Sequence, residues 1–165
     1  MKAKKNGKNI VLIAVLLLAL FIGYNYIFNS KPKIKIYFMK GEGITSVERR
    51  ILENEDVLKL CAKELISGPT SNEQKDDIFS EIPNKAKILD IKTNEDVVEV
   101  IFNEELENYG GGSARVQGLI SQIVYTFTEI PGIKRVKISV RGRDEVALGG
   151  EGYVIDKPLS REDLR

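Results

Sequence analysis

The sequence predicts an α+β fold: a two-layer sandwich in the order β-β-α-β-β-α-β, preceded by one amino-terminal transmembrane helix. Three observations support this. Residues 10–28 are an apolar run that follows a lysine-rich start. Four segments between residues 34 and 140 alternate apolar and polar side chains, the period of a half-buried strand, and residues 87–92 add a fifth strand. Two further segments place apolar residues at helical spacing, so a pair of helices would cover one face of a small mixed or antiparallel sheet.

Composition narrows the chemistry. The 165 residues allow one ordinary domain and an appendage. Histidine and tryptophan are absent and there is one cysteine. That excludes Ser-His-Asp and Cys-His nucleophile pairs, imidazole metal ligands, an internal disulfide and Cys-rich metal sites. Lys and Arg number 25 against 24 Asp and Glu, a formal net charge of +1. Setting aside Lys2, Lys4, Lys5 and Lys8 leaves −3 for the chain after residue 9. This faintly acidic body lacks the basic excess that binds phosphates, so no nucleic-acid partner is expected.

The elements follow in order. Residues 10–28 read IVLIAVLLLALFIGYNYIF, 19 positions that reach about 28 Å as a helix and nearly match a hydrocarbon core of about 30 Å. Lysines lie on one side of the run only, which puts residues 1–9 in the cytoplasm as a basic tail. Tyr24, Tyr26 and Phe28 stand where an outer aromatic belt would lie. The run ends in GYNYIFNSKPK, without a small-x-small cleavage site, so an uncleaved signal anchor is favoured over a cleaved signal. Residues 29–33 form a linker, and residues 34–165 an extracytoplasmic domain.

Within that domain Ile34, Ile36 and Phe38 alternate as a first strand, Gly41-Glu42-Gly43 turns, and Val47, Arg49 and Ile51 make a second. Asn54 is placed to cap a helix that runs to Ser67 and stops at Gly68-Pro69. Residues 87–92 form a strand, Asn94-Glu95-Asp96 turns, and Val98, Val100 and Phe102 alternate in the next. After Gly110-Gly111-Gly112 and the N-cap candidate Ser113, Val116, Leu119, Ile120, Ile123, Val124, Phe127 and Ile130 mark one face of a long helix. Pro131-Gly132 ends it, and Val136, Ile138 and Val140 form the last strand. The tail from residue 149 is expected to pack on the domain.

Candidate sites are few. Gly111, Gly112, Ser113 and Arg115 offer backbone N–H groups and a guanidinium at a helix start, where an anion could bind. The stretch lacks a P-loop's Gly-Lys-Ser/Thr ending, and a plain helix cap explains it equally well. Arg141 and Arg143 could touch an anionic polymer, lipid headgroups or an acidic neighbour; a basic turn is the plainer account. The acidic groups Asp76-Asp77, Glu104-Glu105-Glu107 and Asp144-Glu145 lack EF-hand spacing. Cys61 shares a helix face with Val57 and Leu65, as a buried inert thiol would. No catalytic, metal or cofactor site is expected.

Three stretches taken together suggest a family. Leu65-Ile66-Ser67-Gly68-Pro69-Thr70 closes the first domain helix, and Ile78-Phe79-Ser80-Glu81-Ile82-Pro83 precedes the third strand. The third stretch is Tyr125-Thr126-Phe127-Thr128-Glu129-Ile130-Pro131-Gly132-Ile133. In this order they resemble the sporulation and spore-germination (GerMN) domain over residues 34–161. That family's fold is similar to the ring-building motif, and its members are often tandem-domain lipoproteins. This chain has one copy and no lipobox cysteine.

The resemblance implies an envelope interaction or assembly module without catalytic residues. Its expected partners are cell-envelope or sporulation proteins, with self-assembly, including a ring, as a further expectation. The alternative expectation is a domain that binds peptidoglycan or an anionic polymer and has no tie to sporulation.

Overall fold

The computed structural model describes residues 4–28, 32–108, 110–141, 143, 145–148 and 152–164, with side chains of the first helix described for 9–24. Gly142, Asp144, the linker positions 29–31, the tail positions 149–151 and the side chains of Lys2, Lys4, Lys5, Lys8, Tyr26 and Phe28 lie outside the described residues. The chain divides into two compact units, Met1–Pro32 and Lys33–Arg165.

The first unit is a helix, α1, Lys4–Phe28. Ile10, Leu12, Leu16, Leu20 and Phe21 are all more than half exposed on it. Among the described residues no helix is long and apolar enough to cross a membrane, so the span expected over 10–28 is not shown by the fold.

The second unit begins with a hairpin. β1 (Lys33–Lys40) and β2 (Gly43–Arg50) pair antiparallel through a two-residue turn at Gly41-Glu42, where Gly41 takes φ +58°. Opposite side chains share a face, and the pairs Ile36–Val47 and Phe38–Thr45 give the hairpin its apolar side. Helix α2 (Val57–Ser67) follows, then α3 (Ser71–Lys75) and a two-residue strand β3 (Ile78–Phe79). β4 (Ile88–Asn94) and β5 (Val97–Phe102) form an antiparallel pair. Helix α4 (Ser113–Phe127) then crosses over to β6 (Arg135–Val140), which lies parallel to β5. A short hairpin, β7 (Val146–Leu148) with β8 (Tyr153–Ile155), precedes the carboxyl-terminal turn.

The expectation of one sheet is corrected. The strands form two three-stranded sheets, β2-β1-β3 and β4-β5-β6, beside the β7–β8 hairpin. The cause lies on the second edge of β1. There Thr126 Oγ1 of α4 accepts the Tyr37 N–H at 3.0 Å, and β3 pairs with Met39 and Lys40. With that edge occupied, β1 does not extend into the second sheet. The two long helices of this unit serve both sheets: α2 packs on β1 and β4, and α4 on β1, β2 and β6. One core of residues 34–159 joins both sheets and both helices, including Phe38, Leu65, Phe102, Leu119, Ile123, Phe127 and Ile138. It is complete within the second unit.

Local chemistry also moves several boundaries. Asn54 has φ +63° and is no cap; the cap is Asp56, which has extended backbone and whose Oδ1 accepts the Leu58 N–H at 3.0 Å. Gly112, not Ser113, precedes α4, and no side chain caps that end. β2 starts at Gly43 because the hairpin turn is tight. The tail is packed where described: Leu159 is buried and exchanges both backbone hydrogen bonds with Val136 at 2.8 Å.

Candidate interaction surface

The stretches that suggested a family are engaged inside the domain. Gly68, at φ +73°, ends α2 and turns the chain to Thr70, which caps α3 in a reciprocal box with Glu73. Glu73 then receives Arg49 from β2 through a two-pronged contact at 2.7 and 2.9 Å, while Arg49 Nε donates to Glu64 of α2 at 2.6 Å. These bonds from Arg49, with further help from Thr70, hold the Glu73 carboxyl down to about 2.

In the second stretch, Ser80 and Glu81 are clipped to α4. The fully buried Gln122 accepts the Glu81 N–H at 2.9 Å and donates to Ser80 Oγ at 3.1 Å. In the third stretch, Glu129 accepts Tyr37 Oη at 2.9 Å and Arg161 Nη2 at 2.8 Å. Arg161 also donates to Thr128 Oγ1 and the Tyr125 carbonyl, and its guanidinium lies over the rings of Tyr37 and Tyr125. Burial and the Glu129 carboxylate push the Tyr37 phenol up. Cys61 is fully buried, and burial above all pushes its thiol up to about 12, which keeps it protonated.

Each arginine singled out as a contact faces a carboxylate. Arg115 pairs with the nearly buried Glu81 at 2.9 Å. Arg141 pairs with Glu104, and Arg143 with Glu107. Gly111 and Ser113 instead line a cleft with Tyr153 and Val154 of β8. An anionic polymer reaching these guanidiniums would have to displace three carboxylates. Among the described residues no group of His, Cys, Asp and Glu is placed to hold a metal ion.

The open surface lies elsewhere. A trough of about 550 Å³ runs between α2 and β4. From α2 it takes Leu58, Ala62 and Ile66, one apolar stripe at four-residue spacing, and Lys59 and Lys63 beside it. From β4 and the residue before it come five consecutive positions, Lys87, Ile88, Leu89, Asp90 and Ile91. Successive strand side chains point to opposite faces. Five in a row, with the alternation broken at Leu89, fit a trough that follows the strand's edge. That edge is free: among the described strands β4 pairs with β5 alone. A register irregularity between Ile88 and Asp90 turns Leu89 outward, where it is 51% exposed. A second cleft, of about 570 Å³, adjoins at Ile66 and Ser67 and is walled by Pro69, Ile78, Phe79 and Ile82.

The sequence model of a family described as sporulation and spore germination matches residues 35–146. The chain belongs to that family. Solved structures agree on the fold. The first GerMN domain of the sporulation protein GerM from Bacillus subtilis has a TM-score of 0.64 at 20% identity, covering 81% of this chain and 100% of that one. The tandem GerMN domains of GerM give 0.60 at 22% identity over 78% of this chain. This chain spans 45% of that tandem structure. A putative lipoprotein from Clostridium perfringens gives 0.58 at 23% identity, covering 80% and 89% of the two chains. Among curated proteins nothing matches.

The residues that mark the family are thus largely bracing residues, and the trough lies within the matched region and shares Ile66 and Ser67 with the first of those stretches. Sequence reading missed it because Leu58, Ala62 and Ile66 resemble core positions of an amphipathic helix. The one available signal was Lys87-Ile88-Leu89 at the start of β4, where alternation breaks and a large apolar side chain falls on the outward phase.

Proposed function

We propose that this chain is a membrane-anchored, extracytoplasmic interaction module that acts in spore development or germination by assembling with envelope proteins. Membership of the sporulation and spore germination family over residues 35–146 is the observation that carries the proposal. The anchor rests on the apolar run at 10–28, the lysines on one side of it, and the exposure of the apolar side chains described on that helix. The role is binding rather than catalysis. Many motif side chains brace the domain, and the trough presents apolar groups with Lys59, Lys63 and Lys87 against Asp56 and Asp90. Self-assembly, including a ring, belongs to the same reading; it would use heterologous contacts between unlike faces.

The test is an outward-compatible fluorescent fusion followed through growth and starvation in the native bacterium, with and without residues 10–28. Signal that appears during sporulation at the septum or around the forespore, and is lost from the membrane without 10–28, is expected. Uniform envelope signal during ordinary growth would overturn the link to sporulation. Unchanged membrane retention without 10–28 would overturn the anchor.

A further inference from the structure

We infer that the α2–β4 trough binds an extended protein segment that adds to the sheet as a strand beside β4 and carries apolar side chains alternating with carboxylates. This deepens the interaction reading above and rests on it. Three observations specify the occupant.

The first is backbone. β4 is an edge strand of seven residues, and an unpaired edge offers groups that another extended chain can satisfy; the Ile91 N–H is already accepted by Asp90 Oδ1, at 2.9 Å. The trough follows five positions, 87–91, about 16 Å of extended chain.

The second is apolar surface. Leu58 and Ile66 on one wall and Ile88 and Ile91 on the other are half-buried against the core, Ala62 beneath them is buried, and Leu89 is exposed, so alternate side chains of an added strand would meet the uncovered parts of these walls. The open edge of the other sheet, β2, differs: its outward residues Ser46, Glu48 and Arg50 are polar and exposed.

The third is charge. Three lysines, Lys59, Lys63 and Lys87, rim the trough against Asp56 and Asp90. Lys59 approaches Asp56 at 3.8 Å, whereas Lys63 and Lys87 make no ion pair among the described residues. Edge lysines ordinarily guard a strand against unwanted pairing. Here they flank an exposed leucine, so they repel a second basic edge, including the β4 edge of another copy, and admit an acidic one.

The test uses the Lys33–Arg165 unit, whose core is complete in itself, and an acetylated, amidated heptapeptide alternating glutamate and valine. Two controls accompany it: the lysine–valine counterpart, and a glutamate–valine peptide N-methylated at alternate residues to block pairing. Backbone amide shifts should move along 87–91 and on α2. Both controls should bind at least tenfold more weakly, and Leu89→Asp or Lys63→Glu should weaken binding at least tenfold. Equal binding of the acidic and basic peptides, retained binding after N-methylation, shifts elsewhere, or no binding at millimolar peptide would overturn the inference. Sedimentation of the unit alone completes the test: self-association abolished by Leu89→Asp would make the occupant a second copy and overturn the acidic foreign strand. Loss of this inference with septal localisation intact leaves the functional reading standing; loss of that localisation with peptide binding intact removes sporulation but not the strand site.

Discussion

Two flanks of the Lys33–Arg165 unit treat their polar groups differently. Where the end of α4 meets β1 and the carboxyl-terminal turn, Tyr37, Thr126, Thr128, Glu129 and Arg161 satisfy one another. Where α2 runs beside β4, a strand edge is open, Leu89 faces solvent, and Lys63 and Lys87 make no described ion pair. A saturated flank changes mainly stability when mutated; an unsaturated flank leaves stability alone and changes binding. The contrast can be broken at several points.

The largest expected effect is at Arg49, in a second satisfied network where β2 meets α2 and α3. Its side chain is 14% exposed and those of its partners, Glu64 and Glu73, about one fifth. Arg49→Leu leaves both carboxylates without their cation and should cost about 3 kcal/mol in urea unfolding. A loss below about 1 kcal/mol would mean the network is solvated like a surface pair.

The same network sets a pH dependence. Glu73 is held down to about 2 against an ordinary 4.5, so its stabilisation is complete above about 4.5 and is lost as pH falls towards 2. The stability gap between wild type and Glu73→Gln should be flat from pH 7 to 5 and close below pH 4. A gap that persists at pH 2 would assign the effect to packing.

Arg161→Ala comes next, at about 1–2 kcal/mol, since it removes hydrogen bonds to Thr128, Tyr125 and Glu129 and the stack on two tyrosines. Near-ultraviolet circular dichroism should change with it, because the chain has no tryptophan and Tyr37 and Tyr125 stand 5.4 Å apart. Unchanged spectra and stability would show the carboxyl-terminal turn to be loosely held.

The difference between the flanks also explains how much could be read in the sequence. Long periodic segments were legible: α4 with its apolar face, β1, and β5 with Val98, Val100 and Phe102 all formed as expected. The division into two sheets was not, because it depends on Thr126 reaching the Tyr37 N–H across 89 residues of sequence. α3, β3, β7 and β8, of five residues or fewer, are too short to show a period. The ion pairs of Arg115, Arg141 and Arg143 were not legible because a sequence does not show Glu81, Glu104 and Glu107 beside them. The trough was hidden for a related reason: a stripe such as Leu58, Ala62 and Ile66 announces burial, and only the topology leaves part of it facing an open edge.

On the unsaturated flank, Leu89→Asp and Lys63→Glu should each change the melting free energy by no more than about 0.5 kcal/mol, as surface substitutions do. A loss above 1 kcal/mol for either would show that the trough is part of the core rather than a surface left for a partner.

The smallest effect tests how tightly the saturated flank is packed. Gly118 lies in α4 against β1, and a methyl group there would come within 3.1 Å of Met39 Cε, 3.2 Å of its Sδ and 3.4 Å of Glu81 Cγ. Alanine gains about 1 kcal/mol of helix propensity over glycine. Against that, Met39 must shift by a few tenths of an ångström; its unbranched side chain can do so, although it is buried. The two terms nearly cancel, so Gly118→Ala should lie within about 0.5 kcal/mol of wild type. Truncating the obstacle separates them: against a Met39→Ala background, Gly118→Ala should stabilise by nearly the full propensity gain. If it still does nothing there, the glycine is required by the approach of α4 to Glu81 and not by Met39.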